Sequence, residues 1–169
     1  MKKRYFLQVG AAAIGTVALS RYLSSGSQAQ SLPNSSFEIA KFEIVKTEDE
    51  WRSLLTPEQF NVLRQQGTES PYSSSLSEQY AEGRYDCAGC NLPLFTSETK
   101  FHSGTGWPSF YAPIANGVGT SEDTSLLMTR TEVHCRRCGG HLGHVFDDGP
   151  QPTGKRYCIN GVALKFVAA

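Results

Sequence analysis

No stretch of this 169-residue chain reaches the roughly 20 consecutive apolar residues that a membrane-spanning helix requires. The longest such run, Val9 to Leu19, is eleven residues, so stable membrane insertion is not expected. An excess of positive charge is also missing. Lys and Arg number 16, Asp and Glu 16. Four of the basic residues and none of the acidic ones precede residue 30, leaving a net charge of −4 beyond it. That balance argues against a nucleic-acid partner. No repeat occurs at any period, and Ser73-Ser74-Ser75 is too short for a low-complexity segment. The chain lacks room for two domains, but its 39% hydrophobic and 11% aromatic content suffices for one core plus a short appendage.

The appendage is the N-terminus. Met1-Lys2-Lys3-Arg4 is a basic start, the apolar run follows, and Ser27-Gln28-Ala29 offers the small residues that signal peptidase accepts. Residues 1–29 are therefore expected to be a signal peptide cleaved after Ala29. Lys3-Arg4-Tyr5-Phe6-Leu7, with Arg21 behind the apolar run, is similar to a twin-arginine export signal with Lys in the first Arg position. The rival is an ordinary secretory signal, since a basic start is common to both. Either implies export to a periplasm or equivalent lumen. Residues 30–36 read as a linker, and the domain is expected over 37–169.

Thr47-x-x-Glu50 and Thr56-x-x-Gln59 both have capping-box spacing, with Pro57 at the first helical position of the second. The second helix is expected to run to about Gln66, stopped by Gly67, with Phe60 and Leu63 inward. From Gly83 onward, short apolar or alternating stretches are punctuated by Gly, Pro and Asn, which reads as β structure. Candidate strands are Leu92–Phe95, Ser125–His134, Leu142–Phe146, Arg156–Asn160 and Val162–Val167. The expected architecture is mainly β, with two short N-terminal helices on an antiparallel core.

Cysteines number five, so one is always left over. Cys87-x-x-Cys90 and Cys135-x-x-Cys138 form two knuckles, and Cys158 stands alone. Two such pairs supply the four thiolates of a closed, structural zinc site, so one Zn2+ per chain is expected. The knuckles are 44 residues apart, so tertiary structure must join them and the metal would staple distant parts of the sheet. Gly89 and Gly139 permit tight turns around the sulfurs. The rival is two disulfides, which export favours, although cysteines three residues apart bridge poorly.

For Cys158, strand alternation places Arg156, Cys158 and Asn160 on one face and the apolar Tyr157 and Ile159 on the other. A thiol beside a guanidinium and an amide is placed where its thiolate, the nucleophilic form, would be stabilised. Gly161 is read as a bulge before Leu164 and Phe166 resume the alternation.

Three blocks carry a family resemblance: Gly104-Thr105-Gly106-Trp107-Pro108-Ser109-Phe110, His141-Leu142-Gly143-His144-Val145-Phe146 and Arg156-Tyr157-Cys158-Ile159-Asn160. With the two knuckles, they resemble the signature blocks of the B-type methionine sulfoxide reductases, in the family's order, over residues 37 to 167. The resemblance implies two antiparallel sheets (a β-tent) and reduction of the R epimer of methionine sulfoxide, mainly in oxidised proteins. This is a protein-repair reaction of oxidative stress, in which a thiolate becomes a sulfenic acid. It implies Cys158 as the nucleophile, His141 and His144 holding or protonating the oxygen, and Arg156 and Asn160 organising the site. Trp107 would form an apolar wall for the substrate's methyl group.

Bland readings stand beside these. His141 and His144 could be further zinc ligands, although four thiolates already saturate a tetrahedral site. Trp107 could be core. Asp147 and Asp148 read as loop acids before a turn. The chain also departs from the family: Thr105 stands where many members have a resolving cysteine, and Gly161 where serine is usual. Without that cysteine, an external reductant is implied: thioredoxin-like, glutaredoxin-like or a small thiol. The competing function is a non-catalytic zinc-ribbon or β-tent binding module, which has no need of a lone thiol beside Arg156 and Asn160.

Overall fold

The computed structural model describes residues 42–125 and 128–169. The signal segment 1–29, the linker 30–36 and the expected domain start at residue 37 lie outside the described residues. Both capping boxes are formed. Thr47 and Glu50 cap α1 (Glu48–Leu54), and Thr56 and Gln59 cap α2 (Pro57–Gln65), which starts on Pro57. Helix α2 buries Phe60, Val62 and Leu63. It ends before Gly67, as expected, on the left-handed cap Gln66 at φ 56° and ψ 31°. Gly67 is needed for proximity: its N–H closes on the Asn61 carbonyl at 2.9 Å, and a Cβ there would fall 2.3 Å from the Asn61 side chain. No helix among the described residues is long and apolar enough to cross a membrane.

Nine strands follow among the described residues: β1 (Gly83–Cys87), β2 (Pro93–Thr96), β3 (Lys100–Phe101), β4 (Ser109–Phe110), β5 (Val118–Asp123), β6 (Arg130–Cys135), β7 (His141–Phe146), β8 (Arg156–Ile159) and β9 (Leu164–Ala168). They form two antiparallel sheets, as expected. One has the order β2-β1-β9 and the other β3-β4-β8-β7-β6-β5. The strand expected over Ser125–His134 begins only at Arg130, because Asp123 accepts the Ser125 N–H at 2.9 Å and turns the chain there. The strand expected from Val162 begins at Leu164. Gly161–Ala163 is one 3-10 turn rather than a bulge, held by the Glu69 carboxylate, which accepts the Gly161 and Val162 N–H groups at 2.6 and 2.8 Å.

The sheets face each other across an aromatic core. Tyr85 of β1 meets Phe110 of β4 at 4.9 Å, and Phe95 of β2 stacks on Phe110 at 4.3 Å while touching Tyr157 of β8 at 5.9 Å. Such ring pairs add about 1 kcal/mol each beyond their buried area. Val133, Leu142 and Ile159 belong to the same core, and α2 packs against β7 and the 161–163 turn.

Strict alternation along β7 would put Leu142 and His144 on one face, yet Leu142 lies in the core and His144 does not. The reset occurs at Gly143, whose φ is 156°, opposite a register shift at Val133/His134 of β6. A Cβ on Gly143 would fall 2.0 Å from the Cys158 carbonyl oxygen, a backbone atom with nowhere to go. Gly143→Ala must therefore separate β7 from β8. We expect it to cost more than about 3 kcal/mol, read as a lowered midpoint in a urea melt; a loss below about 1 kcal/mol would show that the strands relax freely.

Candidate active site

Antiparallel partners project side chains to the same side of a sheet. The register of the larger sheet pairs Ser109 with Cys158, Cys158 with His144, His144 with Glu132, and Glu132 with Ser121. One row therefore crosses β4, β8, β7, β6 and β5 and brings together residues from 109 to 158. A second row, two residues along, holds Arg156, Phe146, Arg130 and Asp123. The Arg156 guanidinium lies 4.5 Å from the Phe146 ring centre, and Arg130 donates to Asp123 at 2.7 Å.

Both expected histidines are present in this region, each held by a carboxylate. His144 Nε2 is 2.7 Å from Asp123 Oδ2, and His141 Nδ1 is 2.7 Å from Glu132 Oε1. Their rings meet at 5.4 Å. The irregular backbone at Gly143 supplies this convergence, since i,i+3 positions on a regular strand point apart. The two differ in access. His144 lines a cleft of about 160 Å³ with Thr68, Trp107, Arg130, Gly143, Phe146, Cys158 and Asn160. His141 is buried behind it, and its Nε2 has no partner among the described residues. Burial pushes the His141 pKa down despite Glu132. Burial alone would raise Glu132, but hydrogen bonds from Ser121 and His141 outweigh it and hold the carboxyl below its ordinary 4.5. Neither histidine joins the cysteine quartet.

Trp107 is half-buried, lines the cleft and donates Nε1–H to the Glu69 carbonyl at 3.2 Å. Its loop is clamped by residues 70–72: Tyr72 gives its hydroxyl to the Gly104 carbonyl and its N–H to the Gly106 carbonyl. Gly106, at φ 90°, must be glycine, since a Cβ would lie 2.8 Å from Pro71 and 2.9 Å from the Tyr72 ring. Asn160 lines the cleft, but its polar atoms are used internally. Its Oδ1 accepts the Glu69 N–H and its Nδ2 donates to the Leu142 carbonyl. At the departure noted above, Gly161 lets Ser74 approach to where a Cβ would sit, 2.1 Å from Ser74 Oγ.

Cys158 faces opposing influences. Burial pushes its thiol up, and the neighbouring Arg156 and Thr105 pull it down without winning. Arg156 thus favours the thiolate, as expected, but burial outweighs it; the guanidinium itself is bound bidentately by Asp148 at 2.9 and 2.8 Å. Asp148 is a loop acid, as expected, and orients Arg156.

The four knuckle sulfurs lie within 4.8 Å of one another. Cys87–Cys138 at 3.8 Å and Cys90–Cys135 at 3.5 Å match the roughly 3.8 Å edge of a tetrahedron of sulfurs about 2.3 Å from a zinc ion. They are too long for disulfides, which need about 2.05 Å, and all five cysteines are free. The quartet cannot hold four negative charges unaided: shared hydrogen bonds push the Cys87 thiol up and the Cys135 thiol down. A dication resolves that conflict, so this is the structural zinc site. It joins the end of β1 in one sheet to the end of β6 in the other, rather than two parts of one sheet. Gly139 is left-handed at φ 67°, but the matching place in the first knuckle is Asn91 at φ 58°, not Gly89; Asn tolerates that conformation.

Sequence reasoning missed Glu132, Asp123, Arg130 and Glu69. Glu132 had a signal, because alternation within the expected strand sets it and Arg130 opposite Val133. Asp123 and Glu69 had none, one lying on a polar edge strand and the other in an irregular segment.

The SelR domain model matches residues 55–168. The chain is 58% identical over 129 residues to a peptide methionine sulfoxide reductase MsrB of Methanosarcina barkeri, covering 76% of this chain and 91% of the relative. It is 52% identical over 126 residues to the MsrB of Leptospira interrogans, covering 74% and 96%. It is 49% identical over 154 residues to the chloroplastic peptide methionine sulfoxide reductase B1 of Arabidopsis thaliana, covering 90% and 76%.

The acid response of this site has a definite sign. Unfolded His141 takes up a proton near its ordinary 6.5, which the folded site resists, so stability declines as pH falls below that value. Glu132, depressed in the fold, contributes fully above 4.5 and loses its contribution as pH falls through its lower folded value. Glu132→Gln is expected to cost about 2 kcal/mol at pH 7, and its deficit against wild type should shrink in calorimetric melts below pH 4.5. A deficit constant from pH 7 to 3 would contradict the assignment.

Proposed function

Because this chain belongs to the SelR family of B-type peptide methionine sulfoxide reductases, we propose that the row centred on Cys158 carries that family's reaction here. The chain is a peptide-methionine (R)-S-oxide reductase that acts on oxidised proteins. The observation that carries the assignment of residues is the shared face of Cys158, His144 and Glu132, opening into a cleft walled by Trp107 and Phe146.

The Cys158 thiolate attacks the sulfoxide sulfur to form a sulfur–sulfur bond and the oxygen is protonated; the sulfur–sulfur bond and the substrate's sulfur–oxygen bond then break as the hydroxyl passes to the cysteine sulfur. The oxygen ends on the cysteine, giving methionine and Cys158 sulfenic acid. His144, adjacent to Cys158 in the row and oriented by Asp123, is the group placed to hold or protonate the oxygen. His141, behind it, braces the arrangement through Glu132. The Trp107 and Phe146 rings receive the methyl and side-chain carbons, and Arg156 lies beside the Cys158 sulfur. Asn160 acts through the Glu69 and Leu142 backbone it fixes, which supports a positioning role rather than direct contact. Zinc stays outside the chemistry, its four thiolates closing the coordination sphere.

Recycling falls to an external thiol. Four of the five cysteines belong to the zinc quartet, and Thr105 Oγ1, 4.0 Å from Cys158 Sγ, occupies the place of an internal partner. A thioredoxin-like or glutaredoxin-like protein, or a small thiol, would reduce the sulfenic acid directly or through a mixed disulfide. We further propose that residues 1–29 export the protein by a twin-arginine-like route to a periplasm or equivalent lumen, with 30–36 as linker and 37–169 as the enzyme. That route carries folded chains, so zinc could be bound before the thiols meet an oxidant.

Two measurements test the reading. Cys158→Ser should abolish reduction of the R sulfoxide, at least a thousandfold, while keeping zinc and the wild-type melt; a folded mutant with wild-type activity would sink the mechanism. One turnover without reductant should leave a sulfenic acid on Cys158 that a trapping reagent detects by mass, and Thr105→Cys should convert it to an internal disulfide. An intramolecular disulfide to Cys158 in the zinc-loaded wild type would refute the one-cysteine cycle.

A further inference from the structure

The hydroxyls beside Cys158 form a continuous chain. Thr105 Oγ1 lies 4.0 Å from Cys158 Sγ and 2.9 Å from Ser103 Oγ, which lies 2.8 Å from Ser109 Oγ. Ser109 Oγ–H donates to the Trp107 carbonyl at 3.1 Å. Ser109 is 1% exposed and sits directly opposite Cys158 in the sheet, while Ser103 also accepts the Thr105 N–H at 3.4 Å.

Each hydroxyl has one hydrogen to give, and the terminal carbonyl has none. With Ser109 donating to Trp107, the remaining contacts are satisfied only if Ser103 donates to Ser109, Thr105 to Ser103, and the Cys158 S–H to Thr105. This polarity suits the protonated thiol. Rotating the three hydroxyls reverses the contacts between Ser109, Ser103, Thr105 and sulfur, so that Thr105 donates to sulfur, and breaks the bond from Ser109 to the Trp107 carbonyl. The reversed chain gives up one bond to a neutral carbonyl and gains one to an anion, and bonds to ionised groups are the stronger.

We propose that Thr105, Ser103 and Ser109 form a reversible hydrogen-bond relay that turns to donate to Cys158 whenever its sulfur ionises. Thr105 touches the reacting atom; Ser103 and Ser109 are positioning residues that act through it. No net proton passes along the relay, because the carbonyl end cannot take one, so the thiol proton leaves on the cleft side. The charged and titratable groups around Cys158 are Arg156 on its own strand with Asp148 behind it, His144 on β7 and Arg130 on β6. Residues 103–109 bring hydroxyls and no charge. The relay thus occupies, with hydroxyls, the side on which the family's other members can carry a resolving thiol.

The idea rests on Cys158 as nucleophile, but its test reads the thiol and not the turnover. Alkylation of Cys158 by iodoacetamide is followed against pH on the zinc-loaded protein and localised by peptide mass. Thr105→Val should raise the Cys158 pKa by about one unit, leaving about tenfold less thiolate at pH 7. Thr105→Ser should retain the wild-type value, and Ser103→Ala should shift it in the same direction as Thr105→Val by a smaller amount. If Thr105→Val does not hold zinc, Thr105→Ala replaces it with the same expectation. A wild-type pKa without the Thr105 hydroxyl would overturn the proposal, and so would a wild-type pKa in Ser103→Ala, which would leave Thr105 acting alone. Inactivity of Cys158→Ser bears only on the nucleophile, so the two readings fail separately.

Discussion

Four thiolates within 4.8 Å of one another repel and cannot persist without a cation, and this constraint organises the rest of the structure. The metal fixes the ends of β1 and β6 to each other and hence one sheet to the other. Cys135 closes the same strand that carries Arg130 and Glu132. Anchoring β6 therefore sets the register of the row in which His144 and Cys158 stand, although no sulfur of the quartet belongs to the cleft. The helices reinforce the anchor: Arg64 of α2 donates to the Cys138 carbonyl at 3.0 Å, and Leu63 lies against Gly140 in the second knuckle.

What could be read in the sequence was what depends on neighbours along the chain. The capping boxes at Thr47 and Thr56, the alternation around Cys158 and the two knuckles all fall within a few residues, and all were legible. What failed depended on tertiary closure. Strands β3 and β4 are two residues long, too short for any period, and exist because β8 lies beside them. Strand β1, Gly-Arg-Tyr-Asp-Cys, alternates over only two apolar residues, Tyr85 and Cys87, too few to stand out, while its charges pair with each other, Arg84 to Asp86 at 3.0 Å. The left-handed residues Gln66 and Asn91 were not legible for a similar reason: neither is a glycine, and each takes that geometry because the chain must turn there.

The same division runs through the site. Cys158, Trp107 and the two histidines were accessible through the resemblance of their blocks, while the carboxylates that orient the histidines come from β5 and β6, 21 and 9 residues away, and carry no local motif. The resemblance did not indicate how His141 and His144 meet. That required Gly143, whose missing Cβ lets β7 lie against the Cys158 carbonyl and breaks the alternation between them.

The electrostatics of the cleft fit the substrate's chemistry. Arg156 is bound by Asp148 and Arg130 by Asp123, so neither guanidinium offers an uncompensated charge. A sulfoxide is neutral but strongly dipolar, with apolar carbons on either side of the sulfur. A cleft with a net field would favour ions and water over it, whereas one with paired charges, two aromatic walls and an oriented imidazole receives the carbons by dispersion and the oxygen by a hydrogen bond. Burial of Cys158 follows the same logic. Excluding water raises the thiol, but it also strengthens every fixed dipole that acts on the oxygen once the substrate is seated.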